Sequence, residues 1–204
     1  MRVIVSEFLT LDGVMQAPGG SDEDTRDGFQ HGGWQLALFD DVLGQFVMGG
    51  ISSAGGLLLG RRTYEIFAAY WPNQSADDPL APTLNALPKY VASRTLQAPL
   101  DWENSTLLEG DAADSVAKLK EQPGDDLLVI GSGDLVKTLL QHDLVDTYQL
   151  MVHPIILGGG KRLFPIDGRM KRQFKLVNSQ TTPNGIVILI YEPAAEDVQG
   201  EGDA

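Results

Sequence analysis

Apolar and polar positions fall into short blocks along the chain, and the period changes from block to block. Residues 3–9, VIVSEFL, are β-branched and apolar and stop before the turn pair Asp12-Gly13, which predicts an internal strand. LLL at 57–59, before Gly60, and LLVI at 127–130 predict two more buried strands. A helical period follows each of them. The first is RRTYEIFAAYW, ended by Pro72; the second is DLVKTLLQHDLVD, with Leu135, Val136, Leu139, Leu140 and Leu144 on its apolar side. Residues 89–92 predict another short strand, running into Ser93-Arg94-Thr95. Between residues 34 and 48, Leu36, Phe39, Leu43, Phe46 and Val47 recur at helical spacing. On such a helix Asp40 lies ~70° from the centre of the stripe and borders buried surface, whereas Asp41 faces water.

The second half continues the pattern. Residues 101–126 hold a weak helix near 113–121 and eight acidic residues, a solvated face. A strand over 148–157 is closed by Gly158-Gly159-Gly160, and residues 174–182 and 186–192 flank Pro183-Asn184-Gly185, a strong hairpin signal. Strands alternating with helices and closed by a hairpin describe an α/β domain, its sheet mostly parallel with an antiparallel C-terminal edge. This domain spans residues 1–193, and the acidic segment 194–204 is expected to be a disordered tail. Residues 16–33, QAPGGSDEDTRDGFQHGG, have no apolar period; they read as a solvated insert or, alternatively, as a flap over a site.

Composition narrows the chemistry. A length of 204 residues suits one domain with a real core. The absence of Cys removes disulfides, thiolate nucleophiles and Cys-based metal sites, and His31, His142 and His153 share no i,i+4 pair, so no metal is expected. A net charge of −13 argues against a nucleic-acid binder. The first apolar run is too short for a signal peptide and is broken by Glu7, and no stretch approaches the ~20 apolar residues of a membrane span, so a cytoplasmic protein is expected.

In a parallel sheet, ligands bind beyond the carboxyl ends of the strands. Three segments fall there: Gly60-Arg61-Arg62-Thr63, Ser93-Arg94-Thr95 and Gly131-Ser132-Gly133-Asp134. Glycine permits a sharp turn and a close ligand, the following helix offers unpaired N–H groups, and arginine forks suit phosphate oxygens. Each signal alone is weak. GSG lacks the third Gly of a dinucleotide fingerprint, and GGGKR has Ile155 and Arg162 where a P-loop needs Gly and Ser or Thr. Their convergence on one sheet edge is what points to a phosphorylated nucleotide. Five of the 15 bases, Arg61, Arg62, Arg94, Lys161 and Arg162, lie in such turns, against the acidic sign of the whole chain.

LLLGRRTYE, the VASRT strand end, LLVIGSGDLVKTLL and the closing hairpin together resemble the dihydrofolate reductase-like superfamily. LLQHDLVDTYQLMVHPIILGGGKRLF and TLDG resemble its riboflavin-biosynthesis reductase branch, over residues 1–193. The resemblance implies a three-layer α/β fold and a homodimer. It also implies NADPH, with Gly60, Arg61, Arg62 and Thr63 around the phosphates, Ser93 and Arg94 at the 2′-phosphate, and Ile130, Gly131, Ser132, Gly133, Asp134 and Leu135 beneath the diphosphate. Hydride transfer to a C=N or C=O group is implied too, similar to 5-amino-6-(5-phosphoribosylamino)uracil reductase, with a pterin reductase or a catalytically silent NADPH-binding module as alternatives.

Two departures bear on the substrate. Riboflavin-pathway reductases carry a Glu where this chain has Ile130, and the pterin-holding acid of dihydrofolate reductases falls near Asp40 or Asp41. Reducing an imine requires a proton at nitrogen, and a carboxyl in an apolar wall is suited to give one. On that ground Asp40 is the first candidate donor and Asp12 the second, while Tyr64 and His153 read as packing residues.

Overall fold

The structure is a computed structural model that describes residues 1–164 and 171–194; the expected tail from 195 onward lies outside the described residues. Its strands are β1 (Val3–Thr10), β2 (Gly56–Gly60), β3 (Lys89–Ala92), β4 (Ser105–Leu107), β5 (Leu127–Ile130), β6 (Thr147–His153), β7 (Phe174–Thr181) and β8 (Val187–Pro193). They form one sheet in the order β4-β3-β2-β5-β1-β6-β8-β7. Contacts from β4 through β6 are parallel, and β8 runs antiparallel to both β6 and β7, as the closing hairpin predicts.

The helices are α1 (Asp41–Ser53), α2 (Arg61–Tyr70), α3 (Ala81–Ala86), α4 (Ala112–Lys120) and α5 (Gly133–Gln141). They cover both faces, which is why the central strands read as continuous apolar runs. Leu58, Leu127 and Val129 point to one side and pack with Val116 and Leu119 of α4 and Leu135, Val136 and Leu139 of α5. Leu57, Leu59, Val91 and Leu128 point to the other, against Ile51 of α1, Tyr64 of α2 and Leu84 of α3. The alternation of one strand thus feeds two cores, giving three layers.

Several elements differ from expectation. The helix expected over 34–48 is split: a 3-10 turn at 36–38 is followed by extended backbone at Asp40 (φ −139°, ψ 170°), and α1 begins at Asp41. The cause is capping, since the Asp40 carboxylate accepts the Leu43 N–H at 3.0 Å. Helix α3 lies within what reads as a Pro- and Asp-rich loop, started by Asp78, whose carboxylate accepts the N–H groups of Leu80 and Ala81. The three-residue edge strand β4 falls in the acidic stretch. Strand β6 ends at His153, earlier than the period suggests, where the Ile155 N–H turns back to the His153 carbonyl at 2.8 Å.

Residues 16–33 are more than a solvated insert. Ala17, Phe29 and Trp34 bury themselves with Val14 against Phe8, Ile155 and Leu157. Gln16 is 4% exposed; its amide nitrogen donates to the carbonyls of Asp24 and Arg26, and its oxygen accepts the Lys161 N–H at 2.9 Å. One buried amide therefore ties the loop to itself and to the segment after β6.

Candidate active site

The carboxyl ends of β1, β2, β3 and β5 open into one cleft of about 1830 Å³. Sites for a single small ligand run to ~300–1,000 Å³, so there is room for two bound molecules. All twelve residues expected at a cofactor line it: Gly60–Thr63 where β2 meets α2, Ser93 and Arg94 after β3, and Ile130–Leu135 where β5 meets α5. The loop 16–33 supplies much of the opposite wall, including Pro18, Glu23 and Arg26.

The floor is a rigid turn. Gly131 has φ +60° and Ser132 has φ +59°, consecutive left-handed residues that reverse the chain after β5. The Ser132 N–H donates to Thr63 Oγ1 at 2.8 Å, and Ser132 Oγ accepts the Gly60 N–H at 2.9 Å. These bonds lock the β2–α2 and β5–α5 turns together across the sheet. They also consume two of the N–H groups that a ligand would otherwise find. A Cβ at Gly131 would meet Thr63 Oγ1 at 2.9 Å, and one at Gly133 would meet Met15 Sδ at 2.8 Å.

All five helices begin along the cleft, which Asp41, Leu80, Ala112, Arg61 and Gly133 line at their starts, and they differ in how their first turns are capped. The N-termini of α1, α3 and α4 are closed by the carboxylates of Asp40, Asp78 and Asp111. Helices α2 and α5, which meet at the Gly131 turn, have no side-chain cap among the described residues. The first-turn N–H groups of Arg61, Arg62 and Thr63, and of Gly133, Asp134 and Leu135, thus face the cleft mouth without intrahelical acceptors. Two positive dipole ends converge there.

The bases are not equivalent. Arg61 and Arg62 both reach Glu65, at 3.1 and 3.5 Å, whereas Arg94 is exposed and has no ion pair among the described residues. On the opposite wall Arg26 and Lys161 pair with Asp24, and Arg162 pairs with Asp12. The Arg26 guanidinium is raised first by its hydrogen bond to Asp24, with smaller contributions from Asp134 of α5 and from Asp27.

Sequence reasoning passed over Glu7. It sits on β1 in the row Val3, Val5, Glu7, Leu9, all buried, and lines the cleft at 4% exposure, with Oε1 lacking a hydrogen-bond partner among the described residues. Burial pushes its carboxyl well above the usual range, Glu23 on the loop adds to that, and the Gly131 N–H partly opposes it. Glu23 is itself raised by burial, although it accepts the N–H groups of Gly19 at 2.7 Å and Gly20 at 3.1 Å. A lone acid in a strict apolar period was the available signal.

Both expected donors are displaced from the cleft. Asp40 caps α1 and also accepts the Asn184 N–H at 3.1 Å; burial pushes its carboxyl up, but these donors outweigh it and hold it below the usual range. Asp41, one residue on and exposed, is the one that lines the cleft. Asp12 accepts the Thr10 hydroxyl at 2.6 Å and the Gly158 N–H at 2.9 Å; its carboxyl is lowered, first by Thr10, and clamps the segment after β6. Neither environment is the apolar wall that a proton donor needs. Tyr64 and His153 are packing residues as expected. The Tyr64 hydroxyl accepts the Trp102 N–H, and His153, fully buried between Phe8 and Trp34, is lowered by that burial.

Known proteins place this architecture. The Bacillus subtilis (strain 168) protein YyaP is 29% identical over 193 residues, 93% of this chain and 94% of its own length. YwjB of the same organism is 28% identical over 108 residues, 53% of this chain and 57% of its own length. The crystal structure of a putative riboflavin biosynthesis protein from Shewanella sp. PV-4 superposes with a TM-score of 0.66 at 23% identity, covering 96% of this chain and 100% of that one. A pyrimidine reductase-like protein from Corynebacterium diphtheriae gives 0.59 at 12% identity, covering 96% and 92%. Both share the three-layer fold with its antiparallel terminal pair. Residues 1–188 match the RibD C-terminal domain, and the chain belongs to that family.

Proposed function

We propose that the protein is an NADPH-dependent reductase of a small nitrogen heterocycle, pterin-like or pyrimidine-like. The observation that carries this is the capping pattern along the cleft: aspartate carboxylates accept first-turn N–H groups at α1, α3 and α4, whereas α2 and α5, which meet at the Gly131 turn, have no side-chain cap among the described residues. An anion bridging α2 and α5 would supply the missing negative ends, and a diphosphate has the charge and span to do so. The glycines fit that group, because Gly131 and Gly133 keep the turn bare where side chains would collide with Thr63 and Met15. Arg94, with no acidic partner among the described residues, would hold the 2′-phosphate that distinguishes NADPH from NADH.

The bound cofactor would supply hydride. The chain's own residues orient both molecules and exclude water. Loop 16–33 roofs the cleft, with Gln16 and the Asp24–Arg26–Lys161 cluster holding it in place. Because Arg26, Lys161 and Arg162 are already paired, that wall offers a substrate phosphate no free cation among the described residues. Together with Ile130 in place of the riboflavin-branch Glu, this favours a substrate without a phosphoribosyl group. A homodimer belongs to the same proposal: the outer strand β7 is exposed at seven of its eight positions, Leu176 and Val177 included.

The test is calorimetric titration with NADPH and NADH, then NADPH consumption with a panel of pterins, aminopyrimidines, cyclic imines and ketones. Tighter binding of NADPH and turnover of one heterocycle are expected. Binding without turnover across the panel would instead identify a cofactor-binding module, and no binding would remove the cofactor assignment.

A further inference from the structure

Among the described residues, Glu7 is the one buried acid in the cleft without a structural task. It forms no ion pair there, caps no helix, and leaves Oε1 unpartnered at 4% exposure. A valine or leucine would continue the row of Val3, Val5 and Leu9 without the cost of desolvating a carboxyl. Position adds to this. Ser6 of β1 is in register with Ile130 of β5, so the next residue, Glu7, stands beside the Gly131 turn at the floor of the cleft. Met15, which packs in the same core as Val3, Val5 and Leu9 of that row, also lines the cleft and gives this face of β1 an apolar character. An unpaired, water-excluded acid aimed into a ligand cleft is arranged for a proton transfer.

We propose that Glu7 is the acid that protonates the substrate atom adjacent to the carbon receiving hydride. The inference rests on the reductase function proposed above. For a C=N substrate, the hydride electron pair forms the new C–H bond, and the C=N π pair moves to nitrogen. Nitrogen takes the proton from the Glu7 carboxyl. The substrate is reduced by two electrons, the dihydronicotinamide is oxidised by two, and the Glu7 carboxylate is reprotonated from water through the cleft mouth. Burial, and the Glu23 carboxylate on loop 16–33, push the Glu7 carboxyl well above the usual range, and the Gly131 N–H opposes them. Asp24, the next acid on that loop, is neutralised by Arg26 and Lys161 and contributes no comparable field. Loop and acid would thus form one unit, the roof supplying the charge that holds the proton on the floor.

The experiment compares the wild type with Glu7→Gln, which preserves the shape of the protonated carboxyl. Three quantities are read: NADPH affinity by fluorescence, the pH profile of kcat/KM on the substrate found by the panel, and the infrared band of a protonated carboxyl at neutral pH. The variant should bind NADPH within about twofold of wild type and lose ~10²–10⁴ in kcat. It should also lose the alkaline limb and the infrared band. A variant that turns over within threefold of wild type with the same alkaline limb overturns the role of Glu7 and leaves the reductase function standing. A wild type that binds no NADPH, or consumes none with any compound, overturns both. Should E7Q fail to fold, the wild-type infrared titration decides. A buried carboxyl that stays protonated past neutral pH, and whose band shifts on isotopic labelling of glutamate, supports the assignment; its absence overturns it.

Discussion

Replacing Gly131 by alanine probes whether the turn after β5 is the rigid floor on which a cofactor rests. Gly131 has φ +60°, a conformation that costs an L side chain about 1–2 kcal/mol. The new Cβ would lie 2.9 Å from Thr63 Oγ1 and 3.3 Å from Thr63 Cγ2. Threonine is β-branched and stiff at χ1, so it cannot swing aside without moving its Oγ1 away from the Ser132 N–H, now at 2.8 Å. Losing that bond adds about 0.5–1.5 kcal/mol. The sum is about 2–3 kcal/mol, and at ~2–4 °C per kcal/mol for a domain of this size Tm should fall by about 5–10 °C. Because the same turn starts α5, NADPH affinity should fall at least tenfold. The assay is a thermal melt with and without NADPH, with Gly49→Ala as control. Gly49 lies inside α1, and an added Cβ there would meet nothing within 4 Å, so that substitution should hold or raise stability, by up to about 1 kcal/mol. A Gly131→Ala protein melting within 1 °C of wild type and binding NADPH equally would refute the reasoning.

Three further outcomes follow from single residues. Arg94→Ala should weaken NADPH by tenfold or more and leave NADH nearly unchanged in calorimetric titration; equal weakening of both would place the 2′-phosphate elsewhere. Asp40→Ala should lower Tm through loss of the α1 cap but leave NADPH affinity and the alkaline limb of the rate intact, because the carboxylate is turned to Leu43 and Asn184. Lys89 is fully buried, with Nζ donating to the carbonyls of Asn85 and Glu103 and lying 4.1 Å from the centre of the Trp102 ring, and burial lowers its pKa to about 8. The unfolded chain keeps this proton to higher pH than the folded one, so stability should rise as pH increases through 8, by about 2 kcal/mol between pH 8 and 10. Lys89→Met should flatten that rise in urea melts; an unchanged slope would assign it to other groups.

Much of the sheet is legible in the sequence because its signals are local and redundant. LLLG and LLVI are buried on both faces and show no polar alternation, and each is followed by a Gly-bearing turn and a helix with a clear apolar side. The Asn-Gly pair announces the terminal hairpin. The weaker elements are those whose signal is short or borrowed. β4 has three residues and exists through its pairing with β3, and α3 depends on one aspartate, Asp78. The displacement of Asp40 came from extending one helical period through residues 34–48, although an aspartate pair ahead of an apolar run is also a helix start.

The three turn segments that line the cleft were legible for the same local reason: glycine turns and helix starts are properties of adjacent residues, and the fold brings the three segments to one edge. The acid at its floor was not. Nothing within VSEFL states that Glu7 is enclosed by β5, β6 and a loop that begins nine residues later, or that Glu23 returns from that loop to face it. Periodicity, turn chemistry and composition determined the layers and a mostly parallel sheet with its antiparallel C-terminal edge. Burial, charge–charge proximity and the choice of which N-termini remain uncapped depend on distant segments meeting in space, and only the tertiary structure decided them.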